Sequence, residues 1–140
     1  MKVELTKTFF AEAAHRNPNG PPRTRRLHGH SYEIVLVVEG EVTSEIGWLI
    51  DYGDITAAFK PVYQQLDHAL LNDIPDLDEP TAPGLREWLL RKLTPVLPGL
   101  KDVRVAIVGA CTYAPEFLPP RPGEGLPGAV RFTFEAAQSL

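Results

Sequence analysis

Residues 27–39 read Leu27-His28-Gly29-His30-Ser31-Tyr32-Glu33-Ile34-Val35-Leu36-Val37-Val38-Glu39. Successive side chains of an extended chain point to opposite faces. Tyr32, Ile34, Leu36 and Val38 therefore share one face, and Glu33, Val35 and Val37 share the other, which predicts a long strand with one strongly apolar side. The same alternation carries His28 and His30 to a single face at the strand's start, where both imidazoles can reach one ion. Gly29 between them is expected to let the backbone sit close to whatever occupies that point.

Upstream, residues 2–10 (KVELTKTFF) alternate as a first strand with Val3 and Leu5 on one face. Asn17-Pro18-Asn19-Gly20-Pro21-Pro22 should block regular structure, so residues 16–26 are expected to form a loop. His15 closes the apolar stretch Phe9–Ala14. If the two strands pair around the loop, His15 reaches the same point as His28 and His30. Three neutral imidazoles, with a fourth position left to water or substrate, form the catalytic rather than the structural arrangement for zinc. A His-x-His pair by itself also fits two incidental polar residues on a strand.

Downstream, a helix is expected from Gly53-Asp54, with Ile55, Phe59, Val62, Tyr63 and Leu66 at its 3–4 spacing. Pro61 falls inside it and should kink it or remove a hydrogen bond. Asp67 to Pro80 reads as a turn-rich connection. Thr81 is the N-cap of a second helix whose apolar stripe is Leu85, Trp88, Leu89 and Leu93, ended by Pro95 or Pro98. Strands follow at Val103–Val108 and Val130–Glu135. The segment 113–128 between them holds five prolines and three glycines and reads as a long surface loop. The order β-β-α-α-β-β predicts an α+β fold, an antiparallel sheet with both helices on one face, in a single domain spanning residues 1–140.

A formal charge of −4 provides no broad basic field, and Arg23, Arg25 and Arg26 make too short a cluster to track a nucleic-acid backbone. No nucleic-acid or membrane partner is expected, since no apolar run approaches the roughly 18 residues of a membrane span. Cys111 is the only cysteine, which excludes an internal disulfide framework. The first residues carry no apolar targeting stretch, so the expected compartment is the reducing cytoplasm.

Over most of residues 3–112 the chain resembles the 6-pyruvoyl-tetrahydropterin and 6-carboxy-tetrahydropterin synthases. Phe10-Ala11-Glu12-Ala13-Ala14-His15 and Leu27-His28-Gly29-His30-Ser31-Tyr32 resemble that family's two zinc segments. Gly47-Trp48-Leu49-Ile50-Asp51-Tyr52 is similar to its passage from strand to helix. Leu66-Asp67-His68, followed by Leu71-Asn72-Asp73-Ile74-Pro75, is similar to the stretch carrying its catalytic Asp and His, and Pro80-Thr81 to the opening of its second helix. The resemblance implies a tunnelling fold assembled into homo-oligomeric rings, usually hexamers, with active sites between subunits. It implies a pterin-like small-molecule substrate and a zinc that polarises a carbonyl or hydroxyl of its side chain. Asp67 and His68 would then form the proton-shuttle pair. Without the resemblance, these two residues read as an ordinary polar turn after a helix.

The chain departs from the family pattern at three places. Thr24 stands where the family carries the cysteine whose thiolate takes a proton from the substrate side chain, and a threonine hydroxyl has no comparable acidity. Gly109-Ala110 stands where a Glu-Thr pair ends the third strand and its carboxylate holds the pterin edge. Pro83 replaces a common glutamate at the second helix. Glu116 or Glu135 could return a carboxylate to the substrate pocket beside Thr24, and Cys111 could stand in for the thiol. The expected function is a zinc-dependent lyase or synthase working by acid–base elimination or aldol-type cleavage on a hydroxylated side chain, with an altered substrate. The alternative is a non-catalytic zinc-binding paralogue on the same scaffold.

Overall fold

The computed structural model describes residues 1–108 apart from Ile46 and Trp48. Gly109, Ala110, Cys111, Glu116 and Glu135, with the expected loop at 113–128 and strand at 130–135, lie outside the described residues.

The strand read from residues 27–39 is β2 (His28–Glu41), which lies in the interior of the sheet. It pairs antiparallel with β1 (Lys2–His15) in unbroken register from Lys2↔Glu41 to His15↔His28. Its other edge pairs antiparallel with β4 (Leu100–Ile107), and β1 pairs in parallel with a two-residue strand, β3 (Ala69–Leu70). The sheet order is β3-β1-β2-β4. β1 runs past the expected end at Phe10 because pairing decides it: Ala11 to Ala14 have little strand preference, but they complete the ladder to Gly29–Tyr32. Ala11 and Ala13 are buried there.

The proline-rich connection between β1 and β2 is not wholly irregular. Pro22–Arg25 form a helical turn, α1, with proline at its start, where the missing N–H costs nothing. Asn72, in a 3-10 turn at Leu71–Asp73, fixes where the chain leaves β1. Its side-chain amide donates to the Arg16 carbonyl at 3.0 Å and accepts from the Arg16 N–H at 2.8 Å, extending the ladder by one side chain.

α2 (Tyr52–Leu66) begins slightly before the expected Gly53, because Asp51 caps it by accepting from the Gly53 N–H at 2.6 Å. α3 (Ala82–Leu93) is capped by Thr81 as expected. Tyr32, Ile34, Leu36 and Val38 are fully buried against Ile55, Phe59, Val62 and Leu66 of α2 and Leu85, Trp88, Leu89 and Leu93 of α3. Each such side chain contributes roughly 1.5–3 kcal/mol of burial, so this face holds the helices in place. Antiparallel partners share a face, so β1 places Ala11, Ala13 and His15 on this same side.

Pro61 sits inside α2, which continues through it to Leu66. Its ring denies the Ala57 carbonyl a helical donor at an exposed position. Pro61→Ala should therefore raise stability by about 1–3 kcal/mol, measurable by urea denaturation. An unchanged midpoint would mean that Pro61 limits the unfolded chain as strongly as it weakens the helix.

Candidate metal centre

The register of β1 and β2 builds the site. His15 lies directly opposite His28, and His30 lies opposite Ala13, so all three imidazoles rise from the helix-covered face at one end of the hairpin. One ligand atom from each falls within 4.8 Å of the others. The rings pack edge to face, with centroids 4.4 Å apart for His15–His28, 5.0 Å for His15–His30 and 4.8 Å for His28–His30. Tyr32 underlies them, its ring 5.8 Å from that of His30.

The ring nitrogens are sorted by backbone carbonyls. His15 Nδ1 meets the Pro80 carbonyl, and His28 Nδ1 meets the Arg26 carbonyl at 2.7 Å. A carbonyl only accepts, so both Nδ1 atoms carry the proton and both Nε2 atoms present lone pairs when neutral. Those two Nε2 atoms are 2.9 Å apart. Two lone pairs at that separation repel unless a cation lies between them, and two nitrogens on one tetrahedral zinc would be about 3.3 Å apart. The donor set therefore fits a zinc with little adjustment. Backbone carbonyls on the outer nitrogens are also the usual means of fixing a metal-binding histidine's tautomer. Burial is the main influence on His15, which is 5% exposed, and it lowers the pKa. The Pro80 hydrogen bond opposes that effect and neighbouring His28 adds to it, so the net shift is downward. This favours the neutral form that a metal ligand needs.

The other expected site residues stand apart from this centre. Asp67 caps the end of α2, and its Oδ2 lies 3.1 Å from His68 Nδ1. Burial alone would raise the Asp67 pKa, but the Glu12 N–H at 3.0 Å and neighbouring His68 hold it below its ordinary value. His68 is 78% exposed and holds a left-handed φ of 59°, a conformation uncommon outside glycine, with its N–H on the Glu12 carbonyl. Its described contacts run along the β1 edge, not to the three histidines. Thr24 is half-buried in α1 and donates its hydroxyl to the Pro21 carbonyl at 2.9 Å. Gly29 does not line the metal face: it alternates to the opposite side, where an added Cβ would make only an ordinary 3.5 Å contact with the Ala13 carbonyl.

Two contributors were not legible in the sequence. The Pro80 carbonyl acts through a backbone atom, which no side-chain pattern announces. Tyr63 looked like part of the helix's apolar stripe, yet its hydroxyl donates to the Phe10 carbonyl at 3.0 Å beside Asp67.

Fold and site together define an α+β protein with three histidines on two paired strands, placed so that they could hold a metal ion. The profile of the 6-pyruvoyl tetrahydropterin synthase family matches residues 4–113, and the chain belongs to that family. It is 36% identical over 123 residues to a 6-carboxy-5,6,7,8-tetrahydropterin synthase of Synechocystis, covering 84% of this chain and 94% of the relative. It is 34% identical over 79 residues to a dihydroneopterin monophosphate aldolase of Pyrococcus furiosus, covering 56% of this chain and 64% of that one. In three dimensions it superposes on Caenorhabditis elegans 6-pyruvoyl tetrahydropterin synthase with a TM-score of 0.65 at 19% identity. That match covers 76% of this chain and 89% of the other, a likeness of fold. Among the described residues no helix is long and apolar enough to cross a membrane.

Proposed function

We propose that this chain is a zinc-dependent lyase, a single-domain subunit of a cytoplasmic homo-oligomer, that cleaves the hydroxylated side chain of a pterin by an aldol-type or elimination step. The observation that carries the reading is the pair of Nε2 lone pairs of His15 and His28 facing each other at 2.9 Å, with His30 alongside. A non-catalytic scaffold has no physical need for such an open, electron-rich point, which weighs against a mere binding paralogue.

When bound, zinc would polarise an oxygen of the substrate side chain and lower the cost of negative charge developing there. His15, His28 and His30 would hold it. Asp67 accepts the His68 Nδ1 proton, fixes the tautomer and leaves Nε2 to take or return a proton. The left-handed backbone at His68 favours a functional over an incidental role, because strain of this kind persists where the surroundings hold it. The exposed His68 ring would serve the metal centre of a neighbouring subunit. In support, the edge of β1 facing away from β2, from Lys2 to Glu12, and the outer edge of β4 have no strand partner among the described residues, and ring assembly removes such edges.

Two features bear on the substrate. Thr24 has no acidic thiol to offer, which favours a cleavage that relies on the metal and on His68, and one relative over part of the chain is named an aldolase. Between Glu12 and Glu33 the chain carries Arg16, Arg23, Arg25 and Arg26 and no carboxylate, a local excess of positive charge suited to an anionic ester on the side chain.

Subunit mixing tests the whole reading, with dihydroneopterin and its phosphate esters as substrates. His28→Ala and His68→Gly should each lose at least ~10²-fold in activity, and His68→Gly should keep its thermal midpoint because glycine adopts the same φ without strain. Refolding the two variants together should restore part of the activity, since some interfaces then combine an intact metal centre with an intact His68. No recovery, with oligomers verified by light scattering, would rule out a shared site.

A further inference from the structure

We infer that Gly84, in the first turn of α3, is a positioning residue for the metal centre: only glycine there lets the Glu79–Pro80 segment close on the helix and place the Pro80 carbonyl on His15 Nδ1. The inference rests on the proposed zinc reading but concerns a contact within this chain.

A Cβ built on Gly84 would lie 1.9 Å from the Glu79 carbonyl oxygen, 2.6 Å from Glu79 Cβ and 2.8 Å from the Glu79 carbonyl carbon. These are backbone atoms and a Cβ, which cannot swing aside as the tip of a long side chain would. The helix cannot yield either. Thr81 caps it by accepting from the Gly84 N–H at 3.3 Å, Leu85 N–H donates to the Thr81 carbonyl at 2.7 Å, and Leu85 and Trp88 are buried in the core. The far end of the segment is tied to the same helix. Trp88 Nε1 donates to the Pro75 carbonyl at 3.2 Å, Arg91 donates to the Asp76 carbonyl at 2.8 Å, and Leu77 is buried. A side chain at position 84 must therefore displace Glu79 and Pro80, and Pro80 is itself buried, with its carbonyl on His15. His15 would lose the acceptor that keeps its proton on Nδ1. The proton could then pass to Nε2, and a protonated Nε2 cannot bind a metal.

The test is Gly84→Ala, with zinc affinity measured by chelator competition and the thermal midpoint measured on the metal-free protein. Outer partners of metal-binding histidines are worth 10–100-fold in affinity, so zinc should bind roughly 10–100-fold more weakly, and the metal-free midpoint should fall as well, because the displaced segment is buried and tied to the helix at its far end. Undiminished affinity overturns the inference. Long-range nitrogen-15 spectra of the histidines provide a second readout that does not need the variant to be stable. Metal-free wild type should show His15 protonated on Nδ1, and protonation on Nε2 overturns the inference as well. A wild-type chain that binds no zinc would sink the metal reading instead. Comparing the His15 tautomer in wild type and Gly84→Ala would then decide the contact on its own.

Discussion

Purified wild-type protein should carry about one zinc per subunit, and His28→Ala should lose it with a fall in affinity of more than ~100-fold. The lower bound follows from the outer-sphere effect: displacing a partner of a ligand already costs 10–100-fold, and removing the ligand must cost more. In this site the loss is aggravated by position. His28 is the residue whose Nε2 faces that of His15 across 2.9 Å, so its removal leaves the buried His15 with no nearby nitrogen of matching orientation except His30. Zinc that binds the folded chain alone also stabilises it by RT ln(1 + [Zn]/Kd), about 4 kcal/mol at a thousandfold excess over Kd. Chelation should therefore lower the wild-type thermal midpoint and leave that of His28→Ala unmoved. His68→Ala is the control, because His68 is not one of the three clustered histidines and its removal should leave zinc content unchanged. Undiminished zinc in His28→Ala would show that the three-histidine assignment is wrong.

The sequence revealed the clustering of His15, His28 and His30 because its geometry follows from strand periodicity. Alternation alone puts His28 and His30 on one face, and the hairpin adds His15. The helices were equally readable from their stripes: every residue expected in α3's stripe is buried. What remained hidden depends on partners distant in sequence. β1 continues through Ala11–Ala14 because β2 is there to pair with, and the two-residue β3 exists only as an addition to the β1 edge. The helical turn at Pro22–Arg25 was obscured by the prolines around it, although a proline is at home in a helix's first position. The roles of Pro80 and Gly84 were invisible for a different reason. One acts through a backbone oxygen and the other through the side chain it lacks, so residue chemistry suggested neither.

Conversion of dihydroneopterin triphosphate should be weak or absent, and Thr24→Cys should restore it only in part. The resemblance implies that Thr24 replaces the family's thiolate base, and general-base assistance is typically worth ~10²–10⁴ in rate. Its hydroxyl already donates to the Pro21 carbonyl and has no described base beside it to activate it. The second deficit is independent of the first. The resemblance implies that Gly109 replaces the pterin-anchoring carboxylate, so donors on the pterin edge would lose their acceptor, at about 1–3 kcal/mol for each group left unpaired in a closed pocket. One loss falls on proton transfer and the other on binding, so they should separate in steady-state kinetics. Thr24→Cys should raise kcat and leave KM high, whereas a carboxylate restored at position 109 should lower KM with little effect on kcat. In the proposed reaction, aldol-type cleavage would use the polarised oxygen and the Asp67–His68 pair but not the thiolate, so dihydroneopterin monophosphate should be turned over faster than the triphosphate. The decisive comparison is the purified zinc form against an ordinary 6-carboxy-tetrahydropterin synthase on the triphosphate. Equal rates would mean that the altered-substrate reading is wrong and that Glu116 or Glu135 supplies the missing carboxylate. Glu116→Gln and Glu135→Gln would then separate the two, since only the variant that removes the anchor should raise KM.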